Sequence, residues 1–125
     1  MSQHRGKSRV LVVDDEFMIA DTLALILNHE GFETTVAYSG ETAVEIATTL
    51  KPDAAIIDVV LGTMSGIEAA ILIRDGSPGC KVLMFTGQPV SEALIQSAKL
   101  KGLSVDFLEK PVPPRLLLER LHAMD

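Results

Sequence analysis

The chain has 125 residues, is 47% hydrophobic and 22% charged, and carries a net charge of −6. That length suits one domain and the composition is globular, while the negative charge argues against whole-surface binding to nucleic acid or anionic lipid. The single cysteine, Cys80, precludes an internal disulfide and makes a reducing cytoplasm the natural compartment.

The chain starts "MSQHRGKSR", polar and basic, without the apolar core of a signal peptide. Residues 1–7 are expected to be a flexible basic tail, and 8–125 one domain. No apolar run approaches the ~20 residues of a membrane span. His4, His29 and His122 are far apart, no metal-binding Cys/His spacing occurs, and all three histidines are read as surface residues.

Strand-like and helix-like segments then alternate. "RVLVV" (9–13) is aliphatic and reads as a strand buried on both faces. Phe17 to His29 follows, a helix with Ile19, Leu23, Ile26 and Leu27 on one face and Gly31 past its end. After "ETTVA" (33–37), Ser39 can cap a helix over 40–50 that turns Ala43, Val44, Ala47 and Leu50 inward, with Pro52 beyond. "DAAIID" (53–58) precedes a helix over about 65–74. Cys80, read as a packed thiol, leads into "KVLMFT" (81–86), and a helix over 91–101 has Ser91 as cap and Gly102 as stop. "SVDFL" (104–108) is the last strand, and a helix starting at Pro113 or Pro114 runs to about Ala123. Strict alternation of this kind predicts an α/β fold, a doubly wound five-stranded parallel sheet with helices on both faces.

In such a sheet, ligands bind beyond the carboxyl ends of the strands, where strand order reverses. Asp14 and Asp15 follow the first strand, Asp58 ends the third, Thr86 ends the fourth before Gly87, and Lys110 follows the fifth. Two like charges about 4 Å apart repel by roughly 4 kcal/mol at an effective dielectric near 20. Water in a solvated turn can relieve that repulsion, and so can a cation. Carboxylates without imidazole or thiolate suit Mg²⁺. A carboxylate can also attack phosphorus to give an aspartyl phosphate, and Asp58, ending the central strand, is the best candidate. The metal, Lys110, the Thr86 hydroxyl and backbone N–H groups can offset the added charge. Glu16 is read as a first-turn helix acid favoured by the dipole more than as a ligand.

"VLVVDDE", the "IID" ending in Asp58 with Gly66 eight residues on, "LMFTG" and "DFLEKP" come in order with matching spacing. Over residues 8 to 122 the chain resembles the receiver domain of bacterial two-component response regulators. The resemblance implies a flavodoxin-like strand order, 2-1-3-4-5. It implies Asp58 as phosphoacceptor and Asp14, Asp15, Asp58 and the Val60 carbonyl as the Mg²⁺ site, with one aspartate acting through water. Thr86 and Lys110 would contact the phosphoryl group, Lys110–Pro111 is commonly cis, and Phe107 stands where the family has a switch aromatic. The donor would be a sensor histidine kinase or a phosphotransfer protein. The domain would assist its own phosphorylation and dephosphorylation without turning over an external substrate. Phosphorylation would draw in Thr86, turn Phe107 inward and change the face made by helix four, strand five and helix five, which would bind an output protein or a second copy of the chain. No direct nucleic-acid or membrane contact is expected.

The chain departs from the family pattern at two places. Gly62 stands where the family usually has proline, which loosens the loop after Asp58. Val60 cannot orient an attacking water, so self-dephosphorylation is expected not to be fast. On the last helix Leu117, Leu118 and Leu121 form a core stripe, while Leu116 is expected to point elsewhere and offer a partner contact. No output domain follows Ala123, which fits either a stand-alone regulator or a receiver cut from a longer protein. Three other classes fit the sequence less well. A phosphatase on a similar fold would carry D-x-D and a cap. A flavodoxin-like carrier would need a better flavin site than one Tyr and no Trp provide. A pseudo-receiver would leave the acidic set unused.

Overall fold

The computed structural model describes residues 8–123, so the expected tail at 1–7 lies outside them. Its elements run β1 (Arg9–Val13), α1 (Phe17–His29), β2 (Glu33–Ala37), α2 (Gly40–Leu50), β3 (Ala54–Asp58), α3 (Gly66–Gly76), β4 (Lys81–Thr86), α4 (Glu92–Leu100), β5 (Asp106–Glu109) and α5 (Pro114–Ala123). All strand pairs are parallel, in the order β2-β1-β3-β4-β5. This is the expected doubly wound sheet.

Alternate residues of the central strands feed two cores. Val10, Val12, Ile56, Leu83 and Phe85 pack with Ala20, Leu23 and Leu27 of α1 and Leu117 and Leu121 of α5. Leu11, Val13, Ile57, Val82 and Met84 pack on the other face with Ala43 and Ala47 of α2, Ala70 and Ile73 of α3 and Ala98 of α4. Because both faces are covered, these strands have no polar alternation. Cys80 is buried in the second core, and burial, with the charge of Asp53, pushes its thiol up to about 12. It is therefore an inert packing residue at neutral pH.

Helix ends follow local chemistry. Ser39 and Ser91 accept from the N–H groups of Thr42 and Leu94, as their positions predict. Ser65, unforeseen, caps α3 in a reciprocal box with Glu68. Gly31 and Gly102 take positive φ at the ends of α1 and α4.

Three expectations shift. α3 runs to Gly76, two residues past the expected end, and stops where the Ser77 N–H bonds back to Ile73 and Arg74. β5 spans 106–109 instead of 104–108, because its pairing with β4 begins only at Leu83–Asp106 and extends to Thr86–Glu109. Leu116 is half-buried against the α1/α5 core, not exposed. It sits one residue before the fully buried Leu117, and Leu116 and Leu118 both pack beside that contact.

Candidate functional site

Sheet order reverses between β1 and β3, whose neighbouring ends pair Val13 with Ile57. One residue further on, both strands deliver a carboxylate: Asp14 and Asp58, 2% and 7% exposed. Buried acids demand partners. Lys110, reaching over from the end of β5, places its Nζ 2.6 Å from Asp58 Oδ2 and 3.1 Å from Asp14 Oδ2. Burial alone would lower its pKa, but the hydrogen bonds and charges of Asp58 and Asp14 raise it above the usual lysine value. The Lys110–Pro111 peptide is cis.

Asp14 also sets the turn that follows it. Its Oδ1 accepts the Glu16 N–H at 2.9 Å, and α1 starts directly after Glu16. This brings the Glu16 carboxylate back over the site, 3.7 Å from Lys110 Nζ. Carboxylate oxygens of Asp14, Glu16 and Asp58 all lie within 4.8 Å of one another. Asp15 is exposed and stands outside this cluster. Glu16 was the weaker candidate in the sequence. Only the Asp14 turn, an Asx motif that spacing hints at but does not fix, reveals its reach.

The loop after Asp58 wraps the same edge. The Val60 N–H donates to Asp58 Oδ1 at 3.2 Å, while the Val60 side chain is exposed. The Gly66 N–H bonds the Val59 carbonyl at 2.8 Å. A Cβ on Gly66 would fall 1.9 Å from the Asp58 carbonyl oxygen, so only glycine fits there. This gives a physical reason for the eight-residue spacing noted in the sequence.

Thr86 is buried, and its hydroxyl is occupied within its own loop: it accepts from the Gln88 N–H at 3.0 Å and donates to the Gln88 carbonyl at 3.1 Å. Its strand partner Glu109 holds the next stretch, accepting the Val90 N–H at 3.0 Å. Phe107 is half-buried against the α2–α4 core.

The donor set suits a divalent cation. Three hard carboxylates face one ammonium, which leaves two negative charges in the cluster. Beside Lys110 opens an apolar groove of about 570 Å³, lined by Met18, Ile19, Ile26, Phe85 and Val112 among others. Among the described residues, no helix is long and apolar enough to cross a membrane.

Comparison with known proteins agrees with this geometry. A family model, the response regulator receiver domain, matches residues 10–122. The probable transcriptional regulatory protein TcrX of Mycobacterium tuberculosis is 35% identical over 115 residues, which cover 92% of this chain and 48% of TcrX. A receiver domain protein of Methanospirillum hungatei superposes with a TM-score of 0.85 at 30% identity, covering 94% of this chain and 93% of its own. A response regulator of Burkholderia pseudomallei, solved with a phosphorylated aspartic acid and a calcium ion, gives a TM-score of 0.81 at 27% identity, covering 94% of this chain and 72% of its own. The chain spans about half the length of the curated relatives it matches. The chain belongs to the response regulator receiver domain family: it is a two-component signalling module with an acidic pocket for aspartate phosphorylation, not an enzyme that turns over an external substrate.

Proposed function

We propose that Asp58 is the phosphoacceptor, with Mg²⁺ as the ion and a sensor histidine kinase or phosphotransfer protein as the donor, in the cytoplasm. The observation that carries this reading is the buried Asp58 carboxylate, held by Lys110 at 2.6 Å and flanked by Asp14 and Glu16 at the carboxyl edge of the sheet. Asp14 and Asp58 would hold the ion with the Val60 carbonyl, Asp15 would join them by turning inward from its exposed position, and Glu16 would add a further acid at the rim. Bound Mg²⁺ supplies positive charge against the phosphoryl oxygens.

In the transfer, an Asp58 carboxylate oxygen forms a bond to phosphorus as the bond from phosphorus to the donor histidine nitrogen breaks. Lys110 is already aimed at Asp58 and offsets the negative charge that arrives there. The Thr86 hydroxyl leaves Gln88 for a phosphoryl oxygen, which frees the Gln88 N–H and lets the loop into α4 rearrange. Phe107 then has room to move inward, and the α4-β5-α5 face takes its signalling form for an output protein or a second copy of this chain. Phosphorylation in this scheme biases an equilibrium between two states. The donor comes in over the groove beside Lys110, where exposed Met18 offers apolar surface. The similarity to TcrX, a probable transcriptional regulatory protein, supports transcription as the output that this receiver serves.

The test is transfer of a labelled phosphoryl group from a phosphorylated histidine kinase or phosphotransfer protein. Label should pass to the wild type in Mg²⁺ and not to Asp58→Asn. Equal labelling of the two proteins would place the acceptor elsewhere.

A further inference from the structure

The loop from Val59 to Ser65 is fixed at one end by Asp58. The Val60 N–H bonds the Asp58 carboxylate and Gly66 packs on the Asp58 carbonyl. In its middle Leu61 is buried in the core at 3% exposure, but the next residue, Gly62, has φ +89 and nothing lies within 4 Å of where its Cβ would be. The far end is fixed again, by α2. The Thr63 hydroxyl donates to Glu41 Oε2 at 2.7 Å, and Met64 lies so closely over Gly40 that a Cβ there would meet its side chain at 3.0–3.2 Å. Glu41 stands in the first turn of α2, where the helix dipole favours a carboxylate. The Thr63 hydrogen bond, followed by one from its own backbone N–H, holds its pKa below the usual value. The Thr63–Glu41 bond lies on the exposed side of α2, while Gly40 belongs with Ala43 and Ala47 to its buried face and Met64 packs at the edge of the core.

We propose that Glu41 and Thr63 form a positioning clamp: α2 holds the loop so that the Val60 carbonyl stays in place for the cation, offsetting the freedom that Gly62 gives. This inference rests on the reading of Val60 as a metal ligand. The clamp acts on the ion's site through the loop, and neither residue touches the ion.

The experiment is Mg²⁺ titration of the unphosphorylated protein by calorimetry and by backbone NMR shifts. Wild type, Thr63→Val, Thr63→Ser, Glu41→Ala and the double variant Glu41→Ala/Thr63→Val are compared, with thermal melts in parallel. Thr63→Val should weaken Mg²⁺ binding about two- to fivefold, the scale of a solvent-exposed charge-assisted bond. Thr63→Ser should restore it, and the double variant should bind no more weakly than Glu41→Ala, since both single changes break one contact. Thr63→Val changes no charge, so its effect cannot come from long-range electrostatics. Wild-type binding that Asp58→Asn weakens, together with unaltered affinity in Thr63→Val, would overturn the clamp and leave the proposed function standing. Lower melting temperatures with unaltered Mg²⁺ affinity would also overturn it, showing the contact to be structural only. No Mg²⁺ binding by the wild type would overturn both the clamp and the metal reading beneath it.

Discussion

At Lys110, burial and ion pairing pull in opposite directions, and pairing wins. Its folded pKa is raised above the ordinary value of 10.5 by Asp58 and Asp14. A raised lysine pKa means that its contribution to stability is fully present below the unfolded pKa and is lost as pH rises through the folded one. Wild type should therefore lose stability relative to Lys110→Met above about pH 10.5, the ordinary lysine value, and not between pH 6 and 9. Melting curves across that range check the sign. The same substitution should slow phosphoryl uptake by about a hundredfold or more, since it removes a preorganised cation from the point where charge arrives. Single-turnover phosphorylation measures this, and unaltered rates would remove Lys110 from the chemistry.

The acids beside it separate two ligand sets. Glu16 reaches the cluster while Asp15 faces solvent. Asp15→Asn should weaken Mg²⁺ binding more than Glu16→Gln if binding turns Asp15 inward. The reverse ranking would give Glu16 the place assigned to Asp15. Asp14 and Asp58 could be read from the sequence because each directly follows or ends an unmistakable aliphatic strand, and Lys110 because it stands in "DFLEKP" just past the last strand. Glu16 could not be ranked correctly, because its direction depends on one hydrogen bond from its own N–H to Asp14. Val60→Asn should shorten the phosphoryl lifetime by supplying an amide that can orient water, and an unaltered half-life would count against that role.

Among the elements, the β3–α3 connection bears the tightest steric constraint. Gly66→Ala would drive a Cβ into the Asp58 carbonyl. The loss should exceed about 4 kcal/mol, in the range reserved for backbone-level clashes, and chemical denaturation would show it. A smaller loss would mean that the loop relaxes freely. The β4–α4 connection is built differently, on two side chains from paired positions: Thr86 holds Gln88 and Glu109 holds Val90. Thr86→Val should leave phosphorylation of Asp58 largely intact and reduce the spectral changes in α4 and β5 that follow it. Full-size changes in that variant would separate Thr86 from the switch. Neither arrangement is visible in residue order, because both depend on contacts across strands. The caps at Ser39 and Ser91 were visible, being local. β5 starts two residues and ends one residue later than its own sequence predicts, because its start is set by pairing with β4. Leu116 was misjudged for a similar reason: how deep a helix sits on a sheet is a tertiary property, and here both leucines beside Leu117 share the contact.

For the whole molecule, the doubly wound sheet does two jobs at once. Its two cores fix β1 and β3 side by side, so that Asp14 and Asp58 arrive together without any loop having to search for the geometry. The same parallel arrangement sends the ends of β4 and β5 to that edge, linking the acidic pocket through Thr86 and Lys110 to the loop into α4 and the start of α5. In the proposed switch, a change of charge at Asp58 reaches the α4-β5-α5 face through these packed, discrete contacts. The central claim is that this pocket accepts a phosphoryl group at Asp58. Its most direct test is intact-protein mass after incubation with acetyl phosphate and Mg²⁺, for the wild type and Asp58→Asn. A gain of about one phosphoryl group by the wild type, abolished by EDTA and absent in the variant, is the predicted result. An unchanged wild-type mass, repeated with a cognate kinase as donor, would contradict it.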